Sequence, residues 1–444
     1  MIERVTTDDL MSLVEGGTSR ALQAGTVLFL SAGDDFDFAR ALESFAARVH
    51  AVPRLRQRLV DVPFGCGRPI WVEDSGSVLA NQLSTIACPF PANDEAVLAI
   101  AARQVNTPLP RSRPLWSATL VTGVTLGTVG RPLALVLVFH HVMADGIGGL
   151  AVLAELADSV TPRGELPKVE SHHGMPSRSA LLIDAWRERF ASSRRICVAL
   201  RRSIEGVAAI RSAASVRSIH SSLNVPVGAD RLIETVSLES VDIRESSHAA
   251  GATVNDAVLA AVSGSLRRIM QLRGEDLNEV VVSVPFSSRR ATTGSELGNH
   301  SGVIPLILPT GGDRHDRLTA VASITRAAKL APRAASTAIL GPVFRGLARI
   351  GAYHWFIDHQ RMIHTIVSTV HGPEAPISLL GCGVTRIVPL GIPTGNLPVT
   401  FVVLSYAGTL TITIVSDPVA CPDVRMLRAI LVDELRAYSS LRHS

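Results

Sequence analysis

The sequence has few cysteines, lysines and aromatic residues, and each shortage excludes a class of protein. Five cysteines are scattered over 444 residues without any C-x-x-C spacing. This pattern argues against a disulfide framework and a zinc site, and favours free thiols in a reducing compartment. Aromatic residues make up 4% of the chain and are not interleaved with basic ones, so no nucleic-acid partner is expected. Lysine occurs only at Lys168 and Lys329, so arginine carries nearly all of the positive charge.

Long apolar runs are also missing. No run approaches the roughly 18 uncharged residues that a transmembrane helix needs, and residues 1–9 lack the basic-then-apolar plan of a signal peptide. These absences predict a cytoplasmic protein with, at most, peripheral contact with a membrane or lipid droplet. A charged fraction of 18% and a mean hydropathy of +0.29 suit a protein that binds long apolar chains or a lipid surface. They equally suit the well-buried cores of two domains, for which 444 residues suffice.

The most informative segment runs from residue 132 to residue 146. Residues 132–139 are apolar, uncharged and rich in branched side chains, which predicts a buried strand. His140 and His141 follow at its end. Because successive strand side chains point to opposite faces, the two histidines cannot both face one cavity. One is a candidate catalytic base and the other a structural residue.

Other interpretations of this segment are a pair of buried structural histidines, a metal site and a dinucleotide loop. Neighbouring strand residues are poor co-ligands and no third ligand stands nearby, so no metal is expected. Residues 146–151 fit the G-x-G-x-x-A pattern of dinucleotide-binding folds. A helical stretch, 150–160, and a loop follow where that fold needs a second strand ending in an acid, so the dinucleotide interpretation fails.

The spacing His-His-x-x-x-Asp-Gly over residues 140–146 resembles the signature of the acyl-CoA-dependent acyltransferase superfamily. That superfamily includes chloramphenicol acetyltransferases, peptide-synthetase condensation domains and bacterial wax ester synthases. The resemblance implies that His141 is the general base and that Asp145 holds the local architecture. An imidazole can take the proton of an alcohol that attacks a thioester, worth about 10²–10⁴ in rate. The chain has no G-x-S-x-G nucleophile elbow, consistent with direct transfer.

From about residue 20 to its end, the chain is similar to the actinobacterial wax ester synthase/diacylglycerol acyltransferase family. The similarity rests on the histidine motif and on segments 113–116 (Pro-Leu-Trp), 253–256 (Asn-Asp), 283–289, 298–299, 370–373 and 405–408. The chain departs from the family at residues 5–10, which lack its usual proline, at Ser117 and at His371.

The resemblance and the residue chemistry together predict the site. The predicted catalytic group is His141, His140, Asp145, Gly146 and Asn255; the predicted substrate-binding residues are Trp116, Asp256 and Ser287. A buried carboxylate needs a partner, so Asp145 is expected to pair with Arg289, or else with Arg290. Asn255 is either an oxyanion donor, a positioner of the acceptor or a helix N-cap. For Trp116, packing is the alternative to substrate contact.

Strands that alternate with helices in both halves predict an α/β fold of two similar domains. We expect an N-terminal domain over 1–160, a helical crossover over 161–225 and a C-terminal domain over 226–444. The resemblance implies a chloramphenicol-acetyltransferase-like, condensation-domain-like architecture with its active site at the domain interface.

Two segments are candidates for membrane contact. The arginine-rich helix predicted over 179–216 fits a membrane-surface helix, although a crossover helix with a solvated basic face is favoured. Residues 339–356 carry aromatics at one end and fit either a membrane contact or a lid over an acyl tunnel.

The predicted function is an O-acyltransferase that moves a long acyl group from acyl-CoA to the hydroxyl of diacylglycerol or a fatty alcohol. The partners are acyl-CoA, as co-substrate, and a lipid alcohol, with no further cofactor. The alternatives are a carrier-protein-dependent acyltransferase of the condensation type and a non-catalytic lipid-binding protein.

Overall fold

The computed structural model describes residues 2–6, 9–10, 13, 22–74, 81–125, 130–144, 146–158, 174–193, 221–287, 301–330, 344, 346–347 and 350–440. These residues form two compact units. The first unit contains the described residues before 203 together with Pro376–Ile387, and the second contains the remainder. Unlike the predicted domains, the units are discontinuous in sequence, because a segment from the last quarter of the chain folds with the first unit.

The first unit is built on a six-stranded sheet. Its strands are β1 (Gln23–Ala32), β4 (Leu83–Ala87), β5 (Trp116–Thr122), β6 (Arg131–His140), β11 (Ser378–Leu379) and β12 (Cys382–Leu390), in the order β11-β12-β1-β6-β5-β4. Strands β2 (Gln57–Val60) and β3 (Ile70–Glu73) form a separate antiparallel pair. The helices are α1 (Phe38–Ala51), α2 (Pro53–Arg56), α3 (Asp94–Asn106), α4 (Gly146–Leu156) and α5 (Arg178–Ser193).

Strands β1 and β6 form the centre of this sheet. They pair antiparallel over their full lengths, from Gln23 opposite His140 to Ala32 opposite Arg131. Residues 133–138 of β6 are all buried, as a strand covered on both faces requires. The strand predicted over 132–139 is therefore confirmed, and its end lies at the first histidine.

The second unit has its own six-stranded sheet. Its strands are β7 (Leu232–Glu239), β8 (Glu279–Ser287), β9 (Ser301–Pro309), β10 (Thr365–His371), β13 (Val399–Tyr406) and β14 (Thr409–Ser416), in the order β7-β14-β13-β10-β8-β9. Its helices are α6 (Ser240–Ala249), α7 (Val254–Leu272), α8 (Arg314–Leu330), α9 (Tyr353–His359) and α10 (Val424–Ser439).

Helix α7 lies at the core of the second unit. Residues 256–266 are buried without interruption, because α6, α8 and α10 all pack against this helix. A helix that is apolar on every side is typical of such a central position. It begins at a capping box in which Thr253 and Asp256 satisfy each other's backbone N–H groups.

The predicted alternation of strands and helices is confirmed in both units. The sequence pattern of residues 314–330 predicts a helix, and α8 has these bounds. No strand or helix is predicted over residues 232–249, where the structure contains β7 and α6. Of the predicted helix over 179–216, the structure contains α5; residues 194–216 lie outside the described residues. No helix among the described residues is long and apolar enough to cross a membrane.

Candidate active site

The end of β6 is fixed by backbone hydrogen bonds to two neighbouring segments. The N–H of His140 donates to the carbonyl of Leu115 at 2.9 Å, and the N–H of His141 donates to the carbonyl of Leu22 at 2.9 Å. The N–H of Met143 then donates back to the carbonyl of His140 at 2.9 Å, which closes a turn. Both histidines therefore have a backbone position set by the sheet, although only His140 belongs to the strand.

The side chain of His140 is held in its neutral form. Its Nδ1 accepts a hydrogen bond from the N–H of Val142 at 3.1 Å, so the ring proton belongs on Nε2. Burial, followed by the proximity of His141 and Arg111, lowers the pKa of His140 to about 4. Near neutral pH this ring carries no charge and serves to shape the turn.

His141 lies in the turn that comes after the strand and is half-buried. It thus combines a fixed backbone with partial access to solvent, as a group that exchanges protons with a substrate requires. Gly146 begins α4. Asp145 lies outside the described residues, as do Arg289 and Arg290, so their predicted pairing stays a prediction.

A glycine lets α4 lie close to the histidine strand. A Cβ on Gly149 would stand 2.7 Å from the ring of Phe139, the residue before His140. The glycines after the motif, which fit a dinucleotide pattern in sequence, therefore include one that is required for helix–strand packing.

Trp116 lies on β5 directly opposite Phe139. It is buried, and its indole Nε1 donates to the carbonyl of Leu55 at 2.8 Å. The amide of Gln82 donates to the carbonyl of Pro114 at 2.8 Å. The Pro-Leu-Trp segment is thus tied to its surroundings by buried hydrogen bonds, and the geometry supports the packing role for Trp116.

A buried glutamine beside the motif has no signal in the sequence. Gln23 faces His140 across the β1–β6 pair and is 1% exposed. Its Nε2 donates to the carbonyls of Val105 and Thr107, both at 2.8 Å, and its Oε1 accepts from the N–H of Leu109 at 2.7 Å. This amide fixes the end of α3 beside the histidine turn.

In the second unit, Asn255 is held in one orientation. The hydroxyl of Thr369, on β10, donates to its Oδ1 at 2.8 Å. Within the described part of the chain, Nδ2 has no hydrogen-bond partner, so this side of the amide can donate. The helix cap is Thr253, not Asn255. Of the roles predicted for Asn255, the N-cap is therefore wrong, while the roles as oxyanion donor and acceptor positioner stay predictions.

Asp256 has a structural environment. It is 3% exposed; Oδ2 accepts from the backbone N–H of Thr253 and Oδ1 from the hydroxyl of Thr325, at 2.8 and 2.6 Å. Both carboxylate oxygens are thus engaged inside the unit, and the predicted substrate contact is not favoured. Ser287 is the last residue of β8. No group of three metal-ligating side chains occurs among the described residues.

The first unit contains an apolar cleft of about 450 Å³. It lies between α1 and the face of the sheet formed by β4, β5 and β6. Its lining includes Phe45, Leu120 and Leu135. His141 is six residues beyond Leu135, which corresponds to about 20 Å along an extended chain. Trp116 and Phe139 line a smaller space, of about 30 Å³, under α4.

Comparisons with known proteins agree with this architecture. The sequence profile of the wax ester synthase/diacylglycerol acyltransferase catalytic domain matches residues 6–258, and that of the family's C-terminal domain matches residues 297–439. A probable diacylglycerol O-acyltransferase of Mycobacterium tuberculosis is 28% identical over 390 residues, which cover 85% of this chain and 82% of that protein.

Solved structures with the same fold include a family member and a condensation domain. The wax ester synthase/diacylglycerol acyltransferase from Marinobacter aquaeolei superposes with a TM-score of 0.71 at 19% identity, covering 99% of both chains. The first condensation domain of the calcium-dependent antibiotic synthetase gives 0.65 at 16% identity, covering 99% of this chain and 97% of that one. The predicted α/β, condensation-domain-like fold is confirmed. With the profile matches over both halves, the chain belongs to the wax ester synthase/diacylglycerol acyltransferase family.

Proposed function

We propose that this acyltransferase moves a long-chain acyl group from acyl-CoA to the hydroxyl of diacylglycerol or a fatty alcohol, with His141 as general base. The observation that carries the proposal is the histidine pair at the end of β6: one ring is held neutral by a backbone bond, and the next lies half-buried in a fixed turn. A neutral His140 places no like charge beside an imidazole that must accept a proton.

The reaction needs one proton carrier. An imidazole nitrogen of His141 takes the hydroxyl proton while the alcohol oxygen bonds to the thioester carbonyl carbon. When the tetrahedral intermediate collapses, the C–S bond breaks and the same proton passes to the CoA thiolate. The products are an ester and free CoA, and His141 returns to its starting state.

The oxyanion of that intermediate needs a hydrogen-bond donor that is already oriented. Asn255 fits this role because Thr369 occupies its Oδ1, which leaves the Nδ2 hydrogens as donors. Such a donor is worth about 10²–10³ in turnover when it acts on developing charge.

A long acyl group needs an apolar site. The cleft between α1 and the sheet has a volume within the roughly 300–1,000 Å³ typical of ligand pockets, and its lining is mostly apolar. We assign the acyl chain to this cleft.

The test is thiol release from palmitoyl-CoA by the purified protein with diacylglycerol, hexadecanol or no acceptor. We expect release that depends on an acceptor and falls roughly a hundredfold or more in His141→Ala, with unchanged circular dichroism. Full activity in the variant would contradict the role of His141.

The likeness to a condensation domain supports one alternative, a donor bound to an acyl-carrier protein. Transfer from a palmitoylated carrier protein, with none from palmitoyl-CoA, would favour this alternative. Binding of acyl-CoA without thiol release from either donor would favour a lipid-binding protein.

A further inference from the structure

Helix α5 presents an apolar stripe to solvent. Ile183, Trp186 and Phe190 are 55%, 54% and 67% exposed. Their spacing of three and four residues places them on one side of the helix. The opposite side is anchored: Leu181 and Ala185 are buried, and Leu181 packs with Cys66 and Ile70 of the β2–β3 region.

A turn beside α5 adds a fourth apolar side chain. Phe64, at the tip of the turn between β2 and β3, is fully exposed. The turn is fixed to the helix, because Arg189 donates to the carbonyl of Gly65 at 3.2 Å. Gly67 lies so close that a Cβ there would stand 3.2 Å from that of Ala185. We call Phe64, Ile183, Trp186 and Phe190 the aromatic face.

The acidic residues of α5 are turned away from this face. Asp184 accepts a hydrogen bond from the nearly buried Arg4 at 2.7 Å, and Glu188 pairs with Arg68. These ion pairs compensate both carboxylates within the first unit.

The arginines of α5, in contrast, are exposed. Arg178, Arg187 and Arg189 lie at the surface, and the last two are on either side of the apolar stripe. The guanidinium of Arg189 lies 5.6 Å from the ring centroid of Trp186. The described residues of α5 therefore place exposed positive charge beside the aromatic face, while the acidic residues of the helix are neutralised by ion pairs.

We propose that the aromatic face docks on an anionic phospholipid surface. Tryptophan and phenylalanine are favoured at the boundary between headgroups and acyl chains, and flanking arginines can bury their stems while the guanidinium groups contact phosphates. An amphipathic helix with this arrangement lies in the plane of the interface. The proposal places the contact on α5 and its neighbouring turn, and does not depend on the acyltransferase reaction.

The first experiment monitors the fluorescence of Trp186 itself. Trp71 and Trp116 are 6% and 3% exposed, so in Trp355→Phe the only exposed tryptophan is Trp186. Its emission should shift to the blue on addition of vesicles of phosphatidylcholine and phosphatidylglycerol, and brominated acyl chains should quench it. Vesicles of phosphatidylcholine alone should do neither, because arginine attraction needs anionic headgroups.

The second experiment compares variants by co-sedimentation with the same vesicles. The double variant Trp186→Ala, Phe190→Ala should bind roughly tenfold more weakly or worse, and Arg187→Gln should weaken binding at low salt more than at high salt. The matched control is Trp355→Ala, which removes a tryptophan that is 66% exposed on α9. It should bind as wild type does.

Three results would overturn the proposal. One is unchanged vesicle binding by the double variant when its melting temperature equals that of wild type. Another is loss of binding in Trp355→Ala alone, which would place the contact on α9. The third is a dimer in vesicle-free solution that the double variant abolishes, because the face would then join two copies of the chain.

Discussion

Each unit has a histidine whose Nδ1 accepts a backbone hydrogen bond and whose pKa is lowered by burial. In the first unit His140 accepts from the N–H of Val142, and in the second His364 accepts from the N–H of Val281 at 3.0 Å. Burial lowers the pKa of each ring to about 4. Each ring thus satisfies a backbone N–H beside the end of a strand, since Val142 follows β6 and Val281 lies next to the start of β10.

The two histidines differ in the course of the chain immediately after them. His364 is 2% exposed and leads directly into β10, so the chain continues into the core. His140 ends β6, and the chain enters a turn at His141, which is half-buried. In both units, therefore, a neutral histidine has a structural role as the acceptor of a backbone hydrogen bond. In the first unit the next residue is a second imidazole, that of the half-buried His141, whereas Thr365 follows His364.

The largest effect is expected at Asn255, the proposed oxyanion donor. Asn255→Ala should lower kcat by about 10²–10³ with little change in KM, because the donor acts on developing charge. Thr369→Val should cost about tenfold or less, because Asn255 remains but loses the bond that orients it. Steady-state kinetics with palmitoyl-CoA give kcat and KM for both variants. A larger loss in Thr369→Val than in Asn255→Ala would contradict the proposed order of roles.

The histidine comparison predicts a pH dependence of stability. A ring with a pKa of about 4 in the folded protein and an ordinary value of about 6.5 in the unfolded chain binds fewer protons when folded. The contribution of such a ring to the free energy of unfolding is therefore fully present above about pH 6.5 and is lost progressively as the pH falls toward 4. For His364 the loss between pH 7 and pH 5 should be about 2 kcal/mol.

Urea unfolding of His364→Asn tests this prediction. The amide oxygen can replace Nδ1 as acceptor for Val281 but does not titrate, so the variant should lose stability less steeply than wild type below pH 6.5. His140→Asn is the matched variant in the first unit. If the free energy of unfolding of both variants fell with pH as steeply as that of wild type, the assignment of neutral rings would be refuted.

A smaller effect is expected from filling the cleft of the first unit. Ala46 lines that cleft, so Ala46→Trp should lower kcat/KM for palmitoyl-CoA by about tenfold and leave butyryl-CoA nearly unaffected. The second unit offers a control in Val432→Trp, at a cavity of about 260 Å³ beside Leu238. If Val432→Trp, and not Ala46→Trp, lowered kcat/KM for palmitoyl-CoA more than for butyryl-CoA, the acyl chain would be placed in the second unit.

Local pattern predicted most of the helices and strands. The uncharged, apolar run over residues 132–139 predicts a buried strand, and the pattern of residues 314–330 predicts a helix. Strand β6 and helix α8 confirm both. Strand β7 was missed because Leu232–Glu239 alternates weakly, with half-buried residues on both faces. Its position is fixed by pairing with β14, which local sequence does not contain.

In the candidate site too, local sequence does not specify contacts between residues that are far apart in the chain. Asn255 was selected from its motif, but its orientation depends on Thr369, which lies 114 residues away in sequence. Gln23 gave no signal at all, since a lone glutamine before an apolar strand is ordinary. Its function becomes visible only where β1 pairs with β6 and the end of α3 lies beside them.

By itself the sequence determined the α/β class, the two buried strand-and-helix halves and the histidine motif, because hydrophobic periodicity and short motifs are local properties. Only the tertiary structure decided that Pro376–Ile387 belongs to the first unit, that His140 is neutral and that α5 exposes an aromatic face. Strand partners, burial and ion pairs arise between residues far apart in the chain, and no local pattern specifies them.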